Sequence, residues 1–188
     1  MLESIMGQFQ MSGDIILSRF VDFFTNPFTT KDVIWMVIPL IVTMMAMETY
    51  FARHKEEKLG WNTAIGNSLV LIFVSMDIFR FLFDKGAISF FSIGSWEFAA
   101  TMLALIVLLE GVILFSLDFM HFWPRFFAFH LSSHLTINLI AYTSIVIVYG
   151  AMPINLPTFI AALLFYGFVN AAVLIFRFSY SHKSKTIA

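Results

Sequence analysis

Of the 188 residues, 60% are hydrophobic and only 12% are charged, whereas soluble domains carry about 45–50% apolar and about 25% charged residues, so lipid must be part of the solvent. The net charge of −1 excludes nucleic acid as a partner, because no basic surface is present to release counterions. The absence of cysteine excludes disulfides, iron–sulfur clusters, thiolate zinc sites and cysteine nucleophiles together.

The expected fold class is an all-α integral membrane protein. It comprises an N-terminal amphipathic interfacial helix over 1–30, a bundle of five transmembrane helices over 31–180 and a polar basic tail over 181–188. The first 30 residues lack the basic start, short apolar core and small-residue cleavage site of a secretory signal, and read as mature protein. Within them Asp14, Ser18, Arg19 and Asp22 lie near one helical face, with Ile15, Ile16, Phe20, Phe23 and Phe24 around the rest. That pattern suits a helix lying in the membrane interface. A sixth span is the poorer reading, since Asp14, Arg19 and Asp22 would all enter lipid.

Crossing ~30 Å of hydrocarbon takes about 20 apolar residues in a helix. Five segments qualify, at about 33–52, 62–83, 97–118, 127–150 and 157–177. Pro124 and Pro157 stand where helices begin, a position that tolerates proline. Gly66, in GWNTAIGNS, is expected to permit a close helix contact.

Lys and Arg favour cytoplasmic loops. Placing the 53–58 loop, the 121–126 turn and the C-terminus on one side gathers Arg53, Lys55, Lys58, Arg125, Arg177, Lys183 and Lys185. The other side keeps Arg19, Lys31, Arg80 and Lys85. The expected topology is a multi-pass cell-membrane protein with its N-terminus outside and its C-terminus cytoplasmic. The four tryptophans fall at span ends, as amphipathic rings do: Trp35 and Trp96 outside, Trp61 and Trp123 inside.

Ionisable groups inside spans are costly and tend to face the protein interior. At ~1.5 Å rise per residue, Glu48, Asn67, Glu110 and His134 fall in one inner-leaflet layer about 6 Å thick. Asp118, His121 and His130 stand at its mouth. His130, His134, Asn138 and Tyr142 repeat every four residues and would form one continuous stripe on span 4. Near the opposite surface, Asp77 and Arg80 are spaced for an ion pair.

Asp118, His121, His130 and His134 have the residue types and spacings of ligands for a transition metal or haem, although no HExxH zinc signature is present. Glu48, Asn67, Glu110 and His134 equally suit a buried polar cluster or proton handling. The plainest alternative is that these groups only hydrogen-bond neighbouring helices, at roughly 0.6 kcal/mol each.

The run LDFMHFWPRFFAFHLSSH, through Asp118, Phe122, Trp123, Arg125, His130 and His134, resembles the first histidine boxes of the fatty-acid hydroxylase and sterol desaturase family. The resemblance covers this run only. Pro124 and Ser133 stand where that family has histidines, and no distal histidine box follows. It implies a degenerate relative without the family's di-iron chemistry.

Three functions fit the sequence. The first is a non-enzymatic structural or accessory subunit of a larger membrane complex, since no nucleotide motif and no extramembrane domain are present. Its partners would be the lipid bilayer and other membrane subunits, or further copies of itself. The second is a membrane metalloprotein or oxidoreductase acting on a lipid-soluble substrate. The third is a proton-coupled carrier or channel. Whether the chain is an enzyme is left open by the residues.

Overall fold

The computed structural model describes residues 2–53 and 60–186, with side chains for 12–53 and 60–179. The described residues form helices α1 (Leu2–Thr29), α2 (Lys31–Arg53), α3 (Trp61–Asp84), α4 (Trp96–Phe119), α5 (Arg125–Leu131), α6 (His134–Tyr149) and α7 (Leu156–Thr186), without strands. Five helical stretches are long and apolar enough to cross a membrane: Lys31–Arg53, Trp61–Asp84, Trp96–Phe119, Arg125–Tyr149 and Leu156–Ser179. Each matches an expected span to within a few residues. The protein is an all-α bundle built as the expected fold class requires.

Helix ends follow local chemistry. Ser95 caps α4 by accepting from the Phe98 N–H, and Ser133 caps α6 by accepting from the Thr136 N–H. Such side chains satisfy amide donors left free in a first turn. α4 and α6 both end on a residue in the left-handed region, His121 (φ 53°) and Ala151 (φ 48°). There the chain folds back, with Phe122 N–H donating to Leu117 O and Met152 N–H to Ile147 O. This terminator usually recruits glycine.

The fourth span is interrupted. α5 stops at Leu131, and Ser132 and Ser133 intervene before α6 starts at His134. The expected continuous stripe is therefore split, with His130 before the break and His134, Asn138 and Tyr142 after it.

α6 lies at the centre of the bundle. In the most apolar window of Arg125–Tyr149, 67% of residues are buried, against 33% or less in every other span. α3 and α4 pack closely at Gly111, where an added Cβ would lie 3.0 Å from the Ile72 backbone nitrogen and 3.0 Å from Leu71 Cβ. Small residues permit such approach in membranes. Gly66, expected to serve this purpose, has open space around it.

An interfacial lie for residues 1–30 is not confirmed. Phe23 of α1 is fully buried, and the Tyr142 hydroxyl of α6 donates to its carbonyl at 2.6 Å. Phe24 packs on Phe165 and Phe168, and Phe20 on Phe168, so α1 runs antiparallel to α7. The aromatic face thus finds rings in the bundle. Arg19 and Asp22, two of the three charges that argued against depth, neutralise each other at 3.1 Å, and Asp14 is exposed.

Candidate functional site

Glu48 and Phe51 stand three apart on α2 and so share a face. His134, the first residue of α6, meets both. Its Nε2 lies 2.7 Å from Glu48 Oε1, and its ring stacks on Phe51 at 5.3 Å and 19°. From α7, Arg177 donates through Nε to Glu48 Oε2 at 2.7 Å and through Nη2 to Oε1 at 2.9 Å. Glu48 is 4% exposed and His134 5%. A buried carboxylate is tolerated when hydrogen-bonded donors surround it, and the two-pronged guanidinium contact is the strongest such arrangement. The cluster joins α2, α6 and α7. His134 Nδ1 is buried without a hydrogen-bond partner among the described residues.

Asp118, near the end of α4, is fully buried and organises a second cluster. Its Oδ1 accepts from Trp123 Nε1 at 2.9 Å, and its Oδ2 from Ser132 Oγ at 2.6 Å and Ser68 Oγ at 3.2 Å. Asn67, beside Ser68 on α3, donates to the Ser132 carbonyl at 2.7 Å. These contacts pin the break between α5 and α6 against α3. Every Asp118 oxygen is occupied by a protein donor.

His121 and His130 stay outside both clusters. His121 sets its ring edge-on against Trp61 at 4.3 Å. His130, exposed, turns Nδ1 to the Phe126 carbonyl of its own helix at 2.9 Å. Asp118, His121, His130 and His134 are thus dispersed over separate partners. Among the described residues no group of three or more His, Asp or Glu side chains is arranged to hold a metal ion. The interruption at Ser132–Ser133 is the physical reason, because it takes His134 off the turn above His130.

Of the expected polar layer, Glu48 and His134 come together, while Asn67 belongs to the Asp118 cluster. Glu110 is apart from both. It is half-buried, lines a cleft with Thr143, Ser144 and Tyr166, and has no hydrogen-bond partner among the described residues. Lys55 and Lys58, counted among the loop charges, lie outside the described residues.

At the opposite end, Arg80 donates to Asp77 Oδ1 at 2.7 Å and to Asp84 Oδ2 at 3.3 Å. The Tyr149 hydroxyl donates to Asp77 Oδ2. With the Arg80 side chain 61% exposed in the bundle, this is a fastening at a helix end.

Arg177 is the residue that sequence reasoning missed, having counted it only toward the loop charge. The available signal was its placement at the end of span 5, on the same side of the membrane as Glu48.

Five membrane-length apolar helices around a buried ionic cluster are the build of a multi-pass membrane protein. The chain matches no known family model, no curated protein and no solved structure.

Proposed function

We propose that the protein is a non-enzymatic intramembrane subunit that docks a helix of a different membrane protein over the cleft between α4, α6 and α7. The observation that carries this reading is Glu110. A carboxyl group inside a span is costly without a partner, and this one has none among the described residues. Its cleft, about 270 Å³, is bounded mostly by apolar side chains such as Ile106, Val107, Ile147 and Ala162, with Thr143, Ser144, Asn155, Thr158 and Tyr166 as its polar walls. The partner helix would bring a Lys, Arg or His donor. Arg19, Arg80 and Arg177 already engage Asp22, Asp77 with Asp84, and Glu48, so among the described residues a second copy would have to supply its donor from a span end such as Lys31, Lys85, Arg125 or His130, which favours a different protein.

The test is the native mass of the protein extracted from its own membrane in mild detergent. The subunit reading expects a particle larger than one 21.5 kDa chain in its micelle. Glu110→Leu should reduce that particle to the single chain, and Glu110→Gln should retain it in part. A single-chain wild type, or a Glu110→Leu particle of unchanged size, overturns the reading. Co-isolation of two differently tagged copies would make the partner a second copy of this chain.

Proton-coupled transport is the second reading, favoured by one observation: a buried imidazole on a buried carboxylate, with its other nitrogen unpartnered. It requires pH-dependent flux in proteoliposomes that His134→Gln removes.

A further inference from the structure

On the side of α6 facing α2 and α7, away from Glu110, lies a separate cleft of about 190 Å³. Leu40 and Met44 of α2, Phe165 and Val169 of α7, and Asn138 and Tyr142 of α6 are among its walls. All but Asn138 and Tyr142 are apolar. Asn138 is 4% exposed, yet its Oδ1 has no hydrogen-bond partner among the described residues. A stranded amide oxygen in an apolar interior is destabilising. Two of its wall residues, Tyr142 and Phe165, stack with their rings nearly parallel at 5.3 Å and 9°. A second cleft of about 270 Å³ shares Met44 and Val169 with the first and continues along α2 and α7 toward Glu48 and Phe176.

We infer that this pair of clefts binds a lipid-soluble molecule with a flat ring bearing a carbonyl or hydroxyl, the chemistry of a quinone or quinol head on an apolar tail. The ring lies against the Tyr142–Phe165 stack, and its oxygen hydrogen-bonds the Asn138 amide, which offers both a donor and an acceptor. The tail follows the second cleft past Met44. The inner cleft is smaller than the ~300–1,000 Å³ of drug-sized sites, so it admits one ring and not a fused-ring skeleton. Mostly apolar walls with one placed polar group are the usual form of a small-ligand site.

The experiment uses the full chain in phosphatidylcholine nanodiscs, with decyl-benzoquinone as probe and empty nanodiscs as the partition control. Saturable binding at one probe per chain is expected, beyond what empty discs take up. Asn138→Leu should weaken it by about tenfold or more while raising the Tm of the unliganded protein, because a stranded amide is removed. Val169→Trp should abolish binding by filling the cleft, with Asn138 intact, and it decides the matter if Asn138→Leu fails to fold. Leu174→Ala, on the exposed side of α7, should change nothing. Uptake equal to empty discs overturns the inference, as does unchanged affinity in Asn138→Leu or Val169→Trp. Displacement by n-decanol as effective as by the quinone would show that no ring is recognised, and overturns it too.

Discussion

Arg177 grips Glu48 with a fork of two N–H groups, at 2.7 and 2.9 Å, across 129 positions of sequence. The contact ties the far part of α7 to α2, and His134 joins it from the central helix. Removing one partner of a buried pair leaves a charge uncompensated, at about 3–5 kcal/mol.

Arg177→Met should therefore destabilise the bundle, toward the low end of that range because the Arg177 side chain is 41% exposed. Thermal unfolding in detergent measures it. Glu48→Gln combined with Arg177→Met should recover part of the loss, since no unpaired charge then remains. A double variant less stable than Arg177→Met alone would show that His134, 2.7 Å from Glu48 Oε1, compensates the carboxylate without Arg177.

Asp118 provides a contrast between scaffold and metal ligand. Asp118→Leu strands the Trp123 N–H and the Ser132 hydroxyl, each at about 1–3 kcal/mol. The expected outcome is a clear fall in Tm with metal content unaltered, read by elemental analysis after extraction without chelator. Loss of a stoichiometric metal on this substitution would restore the metal centre to consideration.

The spans were legible because length and apolarity alone define them, and the Trp residues mark their ends. The contacts between spans were far less so. A helix buried in lipid and protein is apolar all round, so periodicity does not reveal which side meets its neighbours. Depth could be counted along the chain, and it put Glu48 and His134 level. The same count put Glu110 level with them, yet Glu110 lines a different cleft, because depth leaves rotation about the helix axis undetermined. Ser133 was a visible helix cap, passed over because residues 127–150 together have the length and apolarity of one continuous span. Three charges in α1 suggested a surface helix. The i, i+3 spacing of Arg19 and Asp22, which allows them to cancel, was present in the same residues.

The two glycines offer a direct test of helix packing. Gly111→Ala would place its Cβ against the Ile72 and Leu71 backbone region of α3, and forced overpacking costs about 1–3 kcal/mol. Gly66→Ala meets open space and should stabilise α3 by about 0.5–1 kcal/mol, the ordinary helix penalty of glycine. Equal effects of the two substitutions on Tm would refute the close α3–α4 approach at Gly111.

Topology rests on the loop charges and on the direction of α1. The cysteine-free chain suits single-cysteine labelling with an impermeant thiol reagent in intact cells. The charge bias expects Ser92→Cys to label from outside and Ser184→Cys not to. The N-terminus separates two arguments. Charge and an interfacial first helix expect Ser4→Cys to label from outside. The antiparallel packing of α1 on α7 supports the opposite, because α1's 28 residues extend ~42 Å at ~1.5 Å each, from the end near Asn26 and Gly150 toward the end where α7 finishes. We therefore expect Ser4→Cys to behave like Ser184→Cys and label only after the membrane is opened. Labelling of Ser4→Cys and Ser92→Cys together in intact cells would show that α1 leaves α7 in the membrane and lies at the outer surface.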